Sequence, residues 1–199
     1  MPLNLNSSWR TAASVTAAAL LLTPLTGCGA SDTPEPSVRM ASDAPPSEEA
    51  PKAPAPTRLT VPSLGIDSTL LRLGLNEDGT VEVPPADKGM TAGWYAGGAV
   101  PGEPGAAVLI GHNDTRFGKA VFHDLHTIAK GADIAVSGGG REAAHFTVTG
   151  TETVSKNSFP TEKVYGATDE RVLRLITCDG AFDADGHPVD NLIVYAKLR

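Results

Sequence analysis

Val172-Leu173-Arg174-Leu175-Ile176-Thr177 is a six-residue run of mostly apolar or β-branched side chains that leads into Cys178 and then at once into Asp179-Gly180. A run of this length closed by turn residues reads as a core strand, and it places the cysteine where the strand gives way to a loop. The same pattern recurs outward from it, in Leu59 to Val61, Ala106 to Ile110, Ile134 to Val136, His145 to Thr153 and Leu192 to Ala196, punctuated by Gly, Pro and Asp. Helix is expected only briefly, around Ala120 to Ile128, where Val121, Leu125 and Ile128 recur at spacings of four and three. Several short strands with one or two short helices predict a mainly β domain closed into a barrel, because closure removes the unpaired edges that an open sheet exposes.

The chain has 199 residues, 41% of them apolar, and a formal charge of −7. The acidic balance and the lack of any Lys/Arg run argue against a nucleic-acid partner. The first quarter does not read as core. After Arg10 the segment Thr11 to Leu25 is uncharged, with Ala17 to Leu22 as its most apolar part, which reads as the apolar region of a signal peptide. It is too short and too interrupted by proline for a confident spanning helix. Leu25-Thr26-Gly27-Cys28 closes it and resembles a bacterial lipobox, whose cysteine is diacylated and becomes the mature N-terminus. Simple cleavage beyond the apolar run and an uncleaved signal anchor are the alternatives. Residues 29–56 then hold seven prolines among Ser, Ala and a few acidic residues, a composition that cannot bury enough surface to fold. As polyproline II this linker reaches on the order of 80 Å. The expected organisation is thus 1–28 export and anchoring segment, 29–56 linker, and 57–199 folded domain.

The two cysteines, Cys28 and Cys178, lie on opposite sides of the linker, so a disulfide framework is not expected. A buried structural thiol and a nucleophile fit the position of Cys178 equally well. His112 occupies a matching place, after the apolar Ala106-Ala107-Val108-Leu109-Ile110 and inside Gly111-His112-Asn113-Asp114. Alone it reads as a turn histidine. Together the two supply what covalent acyl transfer needs, since a thiol with a pKa near ~8.5 is mostly protonated at neutral pH and requires a base or an ion-pairing imidazole.

Three blocks carry a specific resemblance: Pro101-Gly102-Glu103-Pro104-Gly105, Ile110-Gly111-His112, and Leu173-Arg174-Leu175-Ile176-Thr177-Cys178. They resemble the sortase family. Val61 to Ile66, Gly93-Trp94-Tyr95, Val121 to Leu125, Phe159-Pro160, Val164-Tyr165-Gly166 and Asp190 to Ala196 match in the manner of class F sortases of actinobacteria. The resemblance implies an eight-stranded barrel of the sortase type, with Cys178 as nucleophile and His112 as proton-transfer partner. The substrate it implies is a C-terminal sorting signal of the Leu-Pro-x-Thr-Gly kind on a secreted protein. A thioacyl enzyme would form and pass its acyl group to a peptidoglycan-precursor amine or to water, with no metal or organic cofactor. A monomer working outside the cytoplasm, tethered to the membrane and facing the cell wall, completes the expectation.

The sequence departs from the family at one point. Sortases carry an Arg after the cysteine that steadies the tetrahedral intermediate, and between Cys178 and Arg199 the only Lys or Arg is Lys197. Arg174, in strand phase with Cys178 at a spacing of four, is the first substitute considered for catalysis, although roughly 13 Å of extended strand separates the two. Arg116, four residues beyond His112, together with Thr177 and His187, are the candidates for substrate binding. Trp94 and Tyr95 read as core or as groove lining, with core favoured. His123, His126 and His145 read as structural. The main alternative is a sortase-like lipoprotein that binds sorting peptides or wall components without turning them over. An L,D-transpeptidase-like enzyme and a plain lipoprotein binding module fit the Cys and His blocks less well.

Overall fold

The computed structural model describes residues 54–182, 184 and 188–199, all within one unit, Glu48–Arg199. Residues 1–28 with Cys28, nearly all of the linker, and His187 lie outside the described residues. Among the described residues ten strands occur: β1 (Arg58–Val61), β2 (Ile66–Leu73), β3 (Ala92–Tyr95), β4 (Gly105–Ile110), β5 (Asp114–Thr115), β6 (Gly118–Lys119), β7 (Asp133–Gly138), β8 (Arg141–Ser155), β9 (Arg171–Phe182) and β10 (Pro188–Leu198). Eight close into a barrel in the order β1-β2-β3-β4-β9-β10-β8-β7, and β5 and β6 form a separate two-stranded hairpin. The mainly β, eight-stranded barrel expected from the sequence is therefore present.

Alternation along the strands divides the apolar side chains between two layers. Leu59, Val61, Trp94, Leu109, Phe146, Leu173, Leu175 and Val194 fill the interior, with Trp94 1% exposed and its indole N–H donating to the Ala99 carbonyl at 3.0 Å. The buried Ser68 hydroxyl accepts from the Ala92 N–H at 3.0 Å and so ties β2 to its parallel neighbour β3. A second, outer layer consists of Leu73, Val108, Ile110, Ile176 and Ile193, and a five-residue helix, α1 (Thr161–Tyr165), covers it with the fully buried Val164. Burying a side chain of that size stabilises by about 1.5–3 kcal/mol, which is enough to hold so short a helix on the barrel wall. Among the described residues no helix is long and apolar enough to cross a membrane.

Two expectations are corrected. Ala120 to Ile128 is not a helix but a series of turns with one 3₁₀ segment, Leu125–Thr127. The N–H groups that would close an α-helix by reaching back four residues reach back three instead, His123 to Ala120, Leu125 to Phe122, Thr127 to Asp124 and Ile128 to Leu125. The periodic apolar residues are still buried, Leu125 fully so, and the period reflects turns laid on the core. Cys178, moreover, does not sit where its strand ends. β9 runs on to Phe182, and Cys178 stays paired with Asn191 of β10. What ends there is its other neighbour, β4, whose last paired residue is Ile110 opposite Ile176.

Candidate active site

The parallel register of β4 and β9 brings Cys178 and His112 together. Ile110 pairs with Ile176, and the Gly111 N–H donates to the Ile176 carbonyl at 3.1 Å; His112 and Cys178 each lie two residues beyond this last pair, and both line one cleft. The chain then leaves the sheet at Gly111. A Cβ there would meet Phe122 Cδ2 at 2.6 Å and Val121 Cγ1 at 2.7 Å, so only glycine lets the loop turn this closely under the core. The His112 carbonyl accepts from the Phe122 N–H at 2.9 Å, which fixes the histidine's backbone.

The side chains are oriented by neighbours. His112 Nε2 lies 2.6 Å from the Pro84 carbonyl. A carbonyl only accepts, so Nε2 carries the hydrogen and, in the neutral ring, Nδ1 holds the free lone pair. Asn113 Nδ2 donates to the Cys178 carbonyl at 3.2 Å, clipping the histidine loop to the cysteine strand. Cys178 is a free, half-buried thiol. Asp179 beside it accepts from Thr153 Oγ1 at 3.1 Å and is thereby occupied away from the sulfur.

Both residues open into a cleft of about 730 Å³, against about 330, 240 and 400 Å³ for three other concavities of the described surface. Tyr95, Phe159 and Tyr165 form an aromatic wall, with Tyr95 and Tyr165 edge to face at 5.8 Å. Leu75 and Val83 stand at its mouth, 53% and 59% exposed. Exposed apolar side chains around a cleft of this kind mark a ligand surface. Burial, and secondarily Tyr95, push the Tyr165 phenol up to about 12, so it stays neutral through the working range. Because its folded pKa exceeds the ordinary value of 10.0, its contribution to stability is complete below pH ~10 and is lost as pH rises towards 12. The thermal midpoint is expected to fall across that interval, and Tyr165→Phe is expected to flatten the fall; an unchanged profile in the variant contradicts this.

The other candidates fall in different places. Rows across the outer face run Val154-Asn191-Cys178, then Glu152-Ile193-Ile176-Ile110, then Gly150-Tyr195-Arg174-Val108. Arg174 is thus two rows below Cys178, beyond an apolar row buried under α1. Its guanidinium stacks on Tyr195 at 4.7 Å, and it lines a separate concavity with Lys163 and Glu152. Burial holds its pKa below the ordinary value, partly opposed by Tyr195 and Glu170. Arg174→Ala is therefore expected to lower stability, by about 1 kcal/mol from the lost stacking, rather than to abolish chemistry at Cys178. A loss of activity without any change in the thermal midpoint contradicts that expectation. Arg116 is exposed on the β5–β6 turn, stacked on Phe117 at 4.8 Å, and does not line the cleft. Thr177 lines it but is 3% exposed, and its hydroxyl is buried without a hydrogen-bond partner among the described residues. Of the two aromatics, Trp94 is core and Tyr95 lines the cleft. His123 pairs with Asp114 at 2.9 Å and His145 with Asp133 at 3.3 Å. No group of three His, Cys, Asp or Glu able to hold a metal occurs among the described residues. Asn113, Asn191, Pro84 and Tyr165 were not singled out as site residues by the sequence; for Asn191 the available signal was its strand, which folds back beside Cys178.

Cys178, within β9, and His112, just past the end of β4, thus line one cleft with an aromatic wall on the side of an eight-stranded barrel. The Sortase domain model matches residues 59–199, and the chain belongs to the sortase family. Similar solved structures include sortase C-1 from Actinomyces oris, at 21% identity and a TM-score of 0.57, covering 72% of this chain and 73% of that one. Sortase A from Corynebacterium diphtheriae aligns at 19% identity and a TM-score of 0.57, over 74% of this chain and 62% of that one. The Clostridium perfringens sortase D5 transpeptidase aligns at 17% and 0.54, over 73% and 79%. At these identities the likeness carries the fold alone. None of the curated proteins is similar enough in sequence to count as a match.

Proposed function

We propose that this protein is a class F-like sortase, a cysteine transpeptidase that cleaves a C-terminal Leu-Pro-x-Thr-Gly-like sorting signal and passes the acyl group to an amine of a cell-wall precursor or to water. The observation that carries the reading is that Cys178 and His112, each just past the last β4–β9 pair, line one cleft with an aromatic wall. Cys178 gives its thiol proton to His112 as Sγ attacks the scissile carbonyl, the tetrahedral adduct collapses with breakage of the C–N bond, and His112 passes that proton to the leaving amine. An incoming amine then gives its proton to His112 and takes the acyl group. The apolar lining at Leu75, Val83 and Tyr95 suits the leucine and proline of such a signal.

The proposal extends to the N-terminal quarter: export, lipidation at Cys28 and the Pro-rich linker would hold the domain outside the cytoplasm, at the membrane and facing the wall. The mass of the mature N-terminus tests it, since a diacylated Cys28 is expected and an intact Met1 contradicts lipidation. The second reading, a sorting-peptide binder without turnover, is favoured by one observation: no Arg lines the cleft among the described residues. Incubating the purified chain with a panel of Leu-Pro-x-Thr-Gly-like peptides and a glycine-based amine separates them. Ligated or hydrolysed product supports the enzyme, and saturable binding without either product supports the binder.

A further inference from the structure

We propose that Asn191 is a catalytic residue whose side-chain amide stabilises the oxyanion formed when Cys178 attacks a carbonyl. The inference rests on the acyl-transfer reading of the site and adds to it the donor that the chemistry requires. As the C–S bond forms, the carbonyl π electrons move onto oxygen, which becomes an alkoxide. When the intermediate collapses, that electron pair re-forms the C=O and the C–N bond breaks, the leaving nitrogen taking its proton from His112. A donor must face the oxygen throughout, and such a donor acts best when fixed in advance in a partly dry site.

Asn191 meets these conditions. It is the antiparallel partner of Cys178, so both side chains project from the same face of the wall with Cβ atoms about 4.5–5.5 Å apart. It lines the same cleft and is half-buried. Its strand is held on both sides, by β9 and by β8, where it pairs with Val154. The carboxamide can donate two hydrogens and carries no charge. The rival donors are worse placed. Thr177 is next to Cys178 on the strand and so alternates to the other face, with its hydroxyl buried. Arg174 lies two rows away on Tyr195. Lys156 reaches the cleft from an exposed turn, where its ammonium is solvated and its stem unrestrained.

The test separates tetrahedral chemistry from simple thiol reactivity and does not depend on knowing the sorting signal. The full chain is acylated with p-nitrophenyl acetate, which passes through an oxyanion, and in parallel alkylated with iodoacetamide, which does not. Both rates at Cys178 are followed by intact mass. In Asn191→Ala the acylation rate relative to alkylation is expected to fall about tenfold or more. In the near-isosteric Asn191→Asp, which preserves shape if the alanine variant fails to fold, the fall is expected to be larger, because a carboxylate repels the oxyanion. Equal ratios in the wild type and both variants overturn the proposal, as does a parallel loss of both rates, which would make Asn191 a residue that tunes the thiol. If peptides never acylate the wild type while the acylation ratio still falls in the variants, the transpeptidase reading fails and the role of Asn191 stands.

Discussion

Cys178→Ala is expected to abolish cleavage of sorting-signal peptides and all acyl transfer while leaving the fold intact. In the proposed reaction the first bond is made to sulfur, and Cys178 is the only cysteine in the family-matched domain, so no other thiol of that domain can take over. Losing a covalent nucleophile removes essentially the whole enzymatic rate, leaving only what the cleft gains by binding and donor placement. The side chain is half-buried, pairs across to Asn191, and belongs to neither apolar layer, so truncation opens no interior cavity. Unchanged near-ultraviolet circular dichroism and thermal midpoint, together with product formation at background, are the expected pair of results. Residual turnover well above background contradicts the assignment of the nucleophile.

His112→Ala is expected to lower kcat/KM by about 10²- to 10⁴-fold, the span of a positioned proton-transfer group. The loss has two sources. The leaving amine must depart without an acid at hand, and the thiol loses the imidazole that can remove or pair with its charge. Because His112 Nε2 is bonded to the Pro84 carbonyl, the segment before β3 sets the ring's orientation, and Nδ1 is the nitrogen left free for proton transfer. A variant that keeps the rate contradicts a proton-transfer role for His112.

Much of this site was legible in the sequence because strands advertise themselves by composition. The run Val172 to Thr177 stops one residue before Cys178 and the run Ala106 to Ile110 two residues before His112, and their pairing gives the family's blocks a common physical origin. The barrel followed from the number of short apolar runs. What the sequence could not carry was register. Nothing local says that β4 and β9 are parallel and paired Ile110 to Ile176, and without that fact the distance between His112 and Cys178 is only a number of residues. The same gap hid Asn191, which becomes relevant only when β10 folds back against β9. It also favoured Arg174, whose strand phase with Cys178 is correct but whose separation by a buried apolar row is a tertiary property. The helix expected at Ala120 to Ile128 failed because the N–H groups of His123, Leu125, Thr127 and Ile128 bond three residues back rather than four, a difference that a periodicity count does not see.

Intact mass of the wild-type chain after incubation with the peptide panel, followed by mapping of any modified residue, bears most directly on the central claim. The account predicts a mass gain equal to the peptide less its leaving fragment, located on Cys178 and discharged by an added amine. A folded protein that gains no such mass from any peptide of the panel, or gains it on another residue, contradicts the claim that Cys178 forms a thioacyl enzyme.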